Sequence, residues 1–172
     1  MKELLLISMS GLPGSGKSSL ATALSKRLRI PTFSVDPIES AILRSGIAPS
    51  FETGLAAYLV AETLASEQLQ LGLSVIIDAV NPVVEARRMW LNLAQRIQAK
   101  LIMIECVLEP EVHRERLAAR VRNLYGFPEV TWEDVEKRRL EYSDWNQDRL
   151  VVDTAQPVEA CLEQIIRYIA SQ

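Results

Sequence analysis

Gly11-Leu12-Pro13-Gly14-Ser15-Gly16-Lys17-Ser18 stands between the apolar run Leu4-Leu5-Leu6-Ile7-Ser8-Met9 and a segment carrying Leu20, Leu24 and Leu28 at helical spacing. The pattern Gly-x-x-x-x-Gly-Lys-Ser is a Walker A loop, and its glycines let the backbone wrap an anion with its amides pointing inward. A helix starting at the lysine adds the positive end of its dipole to that cradle. The loop from Gly11 to Ser18, with Ser19 beside it, is therefore expected to bind a nucleoside triphosphate. Lys17 would reach the β- and γ-phosphates, and the Ser18 hydroxyl would coordinate magnesium.

Working outward, the run before the loop reads as a strand buried on both faces of a parallel sheet. After the first helix, Pro31 makes a break, and Thr32 to Val35 reads as a second strand stopping at Asp36-Pro37. A short helix over about 38–45 and a long one from Phe51 to Leu71 follow, the latter rich in strong helix formers and closed by Gly72. Ser74-Val75-Ile76-Ile77 is a third strand ending at Asp78, and Pro82 opens a helix to about Gln98. Leu101 to Val107 is a fourth strand, followed by a helix from Pro110 to about Arg122 and a loop from Asn123 to Val130. Thr131 and Asp134 form a capping-box pair for the next helix. Leu150-Val151-Val152 is the last strand, and Pro157 starts the terminal helix. Strands alternating with helices predict one α/β domain over residues 1–172, with three layers on a parallel sheet. Ligands of such sheets sit at the carboxyl ends of the strands, where the loop, Asp36 and Asp78 all fall.

Asp78 fits the second acidic element of such folds, holding magnesium through water with Ser18 or contacting the acceptor; capping the helix near Pro82 is the structural alternative. Motor ATPases usually place a glutamate beside this aspartate to activate water, whereas Ala79 and Val80 follow here. Asp36 is the candidate general base, able to orient an acceptor hydroxyl and take its proton; a plain Asp-Pro turn is the alternative. In the helix from Pro110, Leu117, Val121 and Leu124 suggest a packing face. His113, Arg116, Arg120 and Asn123 fall on another. Arginines leading into a Gly/Pro loop suit a lid over about 113–140, in which Arg116 and Arg120 offset charge on the phosphates. Arg87 and Arg88 lie in the helix after Asp78, where one of them either faces the acceptor or both lie on the surface, and packing accounts for most of the isolated aromatics, Tyr58, Trp90, Trp132, Tyr142 and Trp145.

Composition bounds the rest. The chain has 172 residues, 48% of them hydrophobic and 24% charged, with net charge −3, so no global positive field attracts nucleic acid. Cys106 and Cys161 read as reduced, buried thiols, and with His113 the only histidine a zinc site or a Ser-His-Asp triad has no support. No stretch approaches the roughly 18 apolar residues of a membrane span. The expectation is a cytoplasmic monomer or homodimer without membrane contact.

Gly-Leu-Pro-Gly-Ser-Gly-Lys-Ser-Ser, Val35-Asp36, Gly72 to Asp78, Arg116 to Arg120 and Val152-Asp153-Thr154 together resemble the small P-loop kinases of the nucleotide-kinase-like group. That group holds gluconate kinases, adenylylsulfate kinases, chloramphenicol phosphotransferases, zeta toxins and polynucleotide 5′-hydroxyl kinase domains. Asp78-Ala79-Val80-Asn81-Pro82 with Glu85 to Trp90 is similar to the last of these. The resemblance implies a five-stranded parallel sheet, ATP with Mg2+, and transfer of the γ-phosphoryl group to a hydroxyl. It also implies that Asp36 is the catalytic aspartate, that residues 116 and 120 belong to the lid, and that Asp153 to Pro157 borders the adenine. Two positions depart from it: Glu39 stands where relatives place an arginine that grips the acceptor's phosphate, and Ala79 stands where a threonine is expected. The acceptor is therefore expected to be a small hydroxylated molecule, with nucleic-acid 5′ ends or sugar nucleotides as an alternative. A further alternative is a nucleotide-binding module that is non-catalytic or hydrolyses slowly.

Overall fold

The computed structural model describes residues 3–119, 121 and 124–172. Five strands form one all-parallel sheet: β1 (Leu5–Ser10), β2 (Thr32–Ser34), β3 (Val75–Asp78), β4 (Lys100–Val107) and β5 (Leu150–Asp153), in spatial order β2-β3-β1-β4-β5. Seven helices connect or follow them among the described residues: α1 (Lys17–Leu28), α2 (Val35–Arg44), α3 (Phe51–Gln70), α4 (Val84–Ile97), α5 (Pro110–Ala118), α6 (Trp132–Leu140) and α7 (Val158–Ser171). The continuous apolar runs are explained by two cores. Ile7, Met9, Ile76, Ile102 and Ile104 face α1 and α7, while Leu6, Val75 and Ile77 face α3 and α4. Successive strand residues point to opposite sides, so both faces must be apolar to be covered.

Three boundaries differ from the sequence expectation. Val35 is not the end of β2 but the first residue of α2, which puts Asp36 and Pro37 inside the first helical turn. Proline is tolerated there because the first N–H groups of a helix have no internal partner. Helix α4 starts at Val84 rather than Pro82. The preceding segment is pinned instead: Asn81 sits at φ 51°, and the Ser143 N–H donates to the Pro82 carbonyl at 2.9 Å. Helix α5 stops at Ala118, so Val121 does not continue the Leu117 face and is exposed. The Thr131–Asp134 capping box at the start of α6 is formed as expected.

Register brings the strand ends together. Asp78, the last residue of β3, pairs with Met9 on β1 and Ser34 on β2. The loop leaving β1 and the start of α2 therefore flank Asp78 on either side.

Candidate nucleotide and phosphoryl-transfer site

Residues 11–16 join β1 to α1, and Gly11, Gly14 and Gly16 all have positive φ (147°, 84° and 84°). At Gly14 the requirement is also steric, because a Cβ would lie 2.9 Å from Leu117 Cδ1 and 3.1 Å from His113 Nε2. Helix α5 thus rests directly on the loop. Lys17 is the first residue of α1 and is buried, while Ser18 and Ser19 are exposed at the helix N-terminus. A cleft of about 620 Å3 opens there, walled on one side by Gly16, Lys17 and Ser18 and on the other by Ala155, Gln156 and Pro157. Leu12, Pro13 and Ser15 complete the turn, tightened by the Ser15 N–H donating to the Leu12 carbonyl at 3.1 Å.

Arg116 stands over this cleft. Its Nη1 donates to the Thr154 carbonyl at 2.8 Å and lies 3.7 Å from where a Gly16 Cβ would be. Thr154 is a second tie, its hydroxyl donating to the Ser15 carbonyl at 2.6 Å. The segment after β5 is thereby fixed to the glycine loop. Nothing in the local sequence signals this link, which spans 139 positions. Arg120, expected beside Arg116, lies outside the described residues, as do Arg122 and Asn123.

His113 does not join Arg116 on an exposed stripe. It is buried, and its Nε2–H donates to the Pro13 carbonyl at 2.7 Å, with the ring edge-on to Trp132. Burial holds its imidazole below the ordinary value, opposed by the Pro13 carbonyl and reinforced by the charges of Arg139 and Lys17. A depressed folded-state pKa makes the unfolded chain bind the extra proton first. Its stabilising contribution is therefore complete above the unfolded value of about 6.5 and is lost as pH falls through the folded value. Since the chain has one histidine, the melting temperature should decline between about pH 7.5 and pH 5.5, and His113→Gln should flatten that slope. A differential scanning series over pH measures it.

On the other side of the loop, Asp78 is buried and Ser34 Oγ donates to its Oδ2 at 3.1 Å, whereas Oδ1 is buried without a partner. An orphaned carboxylate oxygen is a donor that a hard divalent cation takes, so the chemistry of Asp78, with the exposed hydroxyl of Ser18 at the start of α1, is compatible with Mg2+. Asp36, in the first turn of α2, and Asp78 both act on the phenol of Tyr58, which burial together with these charges pushes up to about 12. Asp36 lies two residues beyond Ser34, which pairs in register with Asp78 and bonds its carboxylate. Glu39, one turn further along α2, accepts from the Thr53 hydroxyl at 3.0 Å. Ser40 Oγ donates to the Tyr125 carbonyl at 2.9 Å, so the segment after α5 lies against α2.

Asn81 holds the floor of the site and was not singled out by its own chemistry. Completely buried, it donates through Nδ2 to Ser10 Oγ at 2.8 Å and Ser8 Oγ at 3.2 Å, and accepts from Trp90 Nε1 at 2.9 Å. Its own N–H donates to Tyr58 Oη at 3.0 Å. Asn81→Ala would leave the Trp90 N–H unsatisfied and place a Cβ residue without polar compensation at positive φ. The expected cost is ~3 kcal/mol, or about 10 °C in melting temperature for a chain of this size, readable by circular dichroism. Arg87 is not on the surface: fully buried, it donates to the carbonyls of Ser143 and Asp144 at 3.0 and 3.1 Å and stacks on Trp145, while its Nε and Nη1 are buried without a partner among the described residues.

A family model described as an AAA domain matches residues 6–142 of this chain. The chain belongs to that family. Among curated proteins, the AAA-domain chain is 27% identical over 135 residues to the bifunctional polynucleotide phosphatase/kinase of Schizosaccharomyces pombe. That match takes in 77% of this chain and 29% of the relative, so the chain spans less than a third of the protein it matches. Among solved structures, a Chloroflexus aurantiacus protein assigned as a kinase superposes with TM-score 0.75 at 24% identity, over 99% of this chain and 98% of that one. A gluconokinase from Sinorhizobium meliloti 1021 gives 0.70 at 18% identity, over 96% and 91%. The Mycobacterium tuberculosis APS kinase in complex with AMPPNP and APS gives 0.71 at 15%, over 98% of each chain. The AAA-domain chain accordingly has the fold of the small P-loop kinases. Among the described residues, no helix is long and apolar enough to cross a membrane.

Proposed function

We propose that this protein is an ATP- and Mg2+-dependent phosphotransferase that moves the γ-phosphoryl group to a hydroxyl of a small-molecule acceptor. The observation that carries this reading is the convergence at one end of the sheet. A cleft of nucleotide size lies on the glycine loop, and on the loop's other side are Asp78, with an orphaned oxygen, and Asp36. The amides of residues 14–18, the α1 dipole and Lys17 bind and orient the phosphates. Ser18 and Asp78 would hold Mg2+, which when bound offsets charge on the phosphate oxygens. Asp36 orients the acceptor O–H and takes its proton as the new O–P bond forms and the bond to ADP breaks. Arg116, already beside Gly16, balances charge on the transferring group. Arg120 is proposed to work with it in a lid over about 113–140 of a single domain. Dependence on ATP supports a cytoplasmic setting.

Glu39, tied to Thr53, supports an acceptor that carries no phosphate of its own at that position. A second reading, a kinase of nucleic-acid 5′ ends, is favoured by the likeness to the polynucleotide phosphatase/kinase and opposed by the net charge of −3. An ADP-release assay against polyols, amino alcohols, nucleosides and 5′-hydroxyl oligonucleotides separates the two. Stimulation by a small polyol or amino alcohol alone supports the first reading, and stimulation by the oligonucleotide alone supports the second. A slow, acceptor-independent rate would instead favour a nucleotide-binding module.

A further inference from the structure

Helix α3 is built the wrong way round for a solvated monomer. Its inner face, against the sheet and α4, is lined by Ala57, Ala61 and Ala65, all completely buried. Leu69 and Tyr58 also turn inward, but five other large apolar side chains point out: Phe51, Leu55, Leu59, Val60 and Leu64 are exposed, Phe51 to 80%, as is Leu71 at the C-cap. Phe51, Leu55 and Leu59 follow at steps of four, and Val60 and Leu64 form an adjoining stripe with the same step, along a helix of 20 residues, or about 30 Å. A surface helix normally gives its outer face to charged and polar residues, and a helix apolar all round is a covered helix.

Their exposed surface is on the order of several hundred Å2, the range in which a monomer's largest apolar patch is often a contact site. A standard interface covers about 800 Å2 per partner, and about 65% of a homodimer interface is apolar. The patch is therefore the right size for one half of a dimer. Its charges point to the same occupant. Helix α3 carries Glu52, Glu62 and Glu67 and no Lys or Arg, which disfavours an anionic membrane or a nucleic acid. The flanking helix α4 supplies exposed Arg88 and Arg96, the latter paired with Glu62 at 2.6 Å. With Arg96 held by Glu62 of its own chain, Glu52 and Glu67 along the ridge and Arg88 along the edge can complement a copy of the same face, as a two-fold contact requires.

We propose that the outer face of α3 is a homodimer interface, formed by two copies of α3 packed antiparallel about a two-fold axis close to Leu59 and Thr63. The interface leaves the glycine-loop cleft open and stands independently of the proposed phosphotransferase activity.

Light scattering coupled to gel filtration at ~50 µM should give about twice the monomer mass of 19.3 kDa. Leu59→Lys, at a position already half exposed, should return the protein to monomer mass with an unchanged circular-dichroism spectrum, and its melting temperature should no longer depend on protein concentration. Thr63→Cys should form a disulfide-linked dimer under mild oxidation, because Cys106 and Cys161 are both buried and do not compete. A wild-type monomer at that concentration overturns the proposal. So does a dimer that Leu59→Lys leaves intact, or a monomer that floats with anionic phospholipid vesicles.

Discussion

Replacing Lys17 with alanine is expected to lower kcat/KM for ATP-dependent transfer by about 10^3-fold, equivalent to ~4 kcal/mol of transition-state stabilisation. Lys17 is the first residue of α1, is buried at the floor of the cleft, and faces the segment from Ala155 to Pro157 across it. In that position its ammonium is the strongest fixed positive charge available to the β- and γ-phosphates, and low local dielectric amplifies it. Deleting it removes a buried charge rather than a packing contact of the core, so the fold should persist. Thermal melting of Lys17→Ala without nucleotide is the control. The melting temperature should stay close to wild type while the stabilisation conferred by MgATP disappears. A variant that keeps both turnover and the nucleotide-induced shift would remove Lys17 from the phosphate site.

Asp36→Asn carries the second large effect and probes the other half of the chemistry. General-base assistance contributes about 10^2- to 10^4-fold, so turnover should fall by that factor. ATP affinity, measured by calorimetry, should stay within about twofold, because Asp36 sits on α2 and not on the nucleotide cleft. The split between lost kcat and preserved binding distinguishes a base from a residue that merely shapes the donor pocket. Equal losses in both would assign Asp36 to nucleotide binding, and unchanged turnover would leave it as a helix-start residue.

The glycine loop and its place between β1 and α1 were legible in the sequence because their determinants are local. Glycines at fixed offsets, a lysine at a helix start and a preceding apolar run lie within about 25 residues, and the structure keeps them as read. The apolar runs also gave the parallel sheet, since a strand covered on both faces has no polar alternation. What failed to show was of two kinds. Boundaries moved where one residue suits two elements: Val35 continues the apolar pattern of β2 yet starts α2, and Pro37 punctuates a turn and a first helical turn equally well. Long-range ties were invisible. Helical spacing puts His113 on a face with Arg116, but only packing decides that the imidazole turns under Pro13 while the guanidinium reaches Thr154. Asn81 was visible only as part of a family likeness, because its partners Ser8, Ser10 and Trp90 come from a different strand and a later helix. The abundance of helix formers in α3 was plain, yet composition does not say which face of a helix meets the sheet.

The central claim is that the glycine loop and Asp36 form the two halves of one phosphoryl-transfer site. Following the label from γ-labelled ATP tests it most directly, with wild type, Lys17→Ala and Asp36→Asn incubated with a pool of small hydroxylated metabolites. Wild type alone should yield label in an organic phosphate ester, in amounts matching the ADP released. Label released only as inorganic phosphate, or ester formed equally by Asp36→Asn, would contradict it.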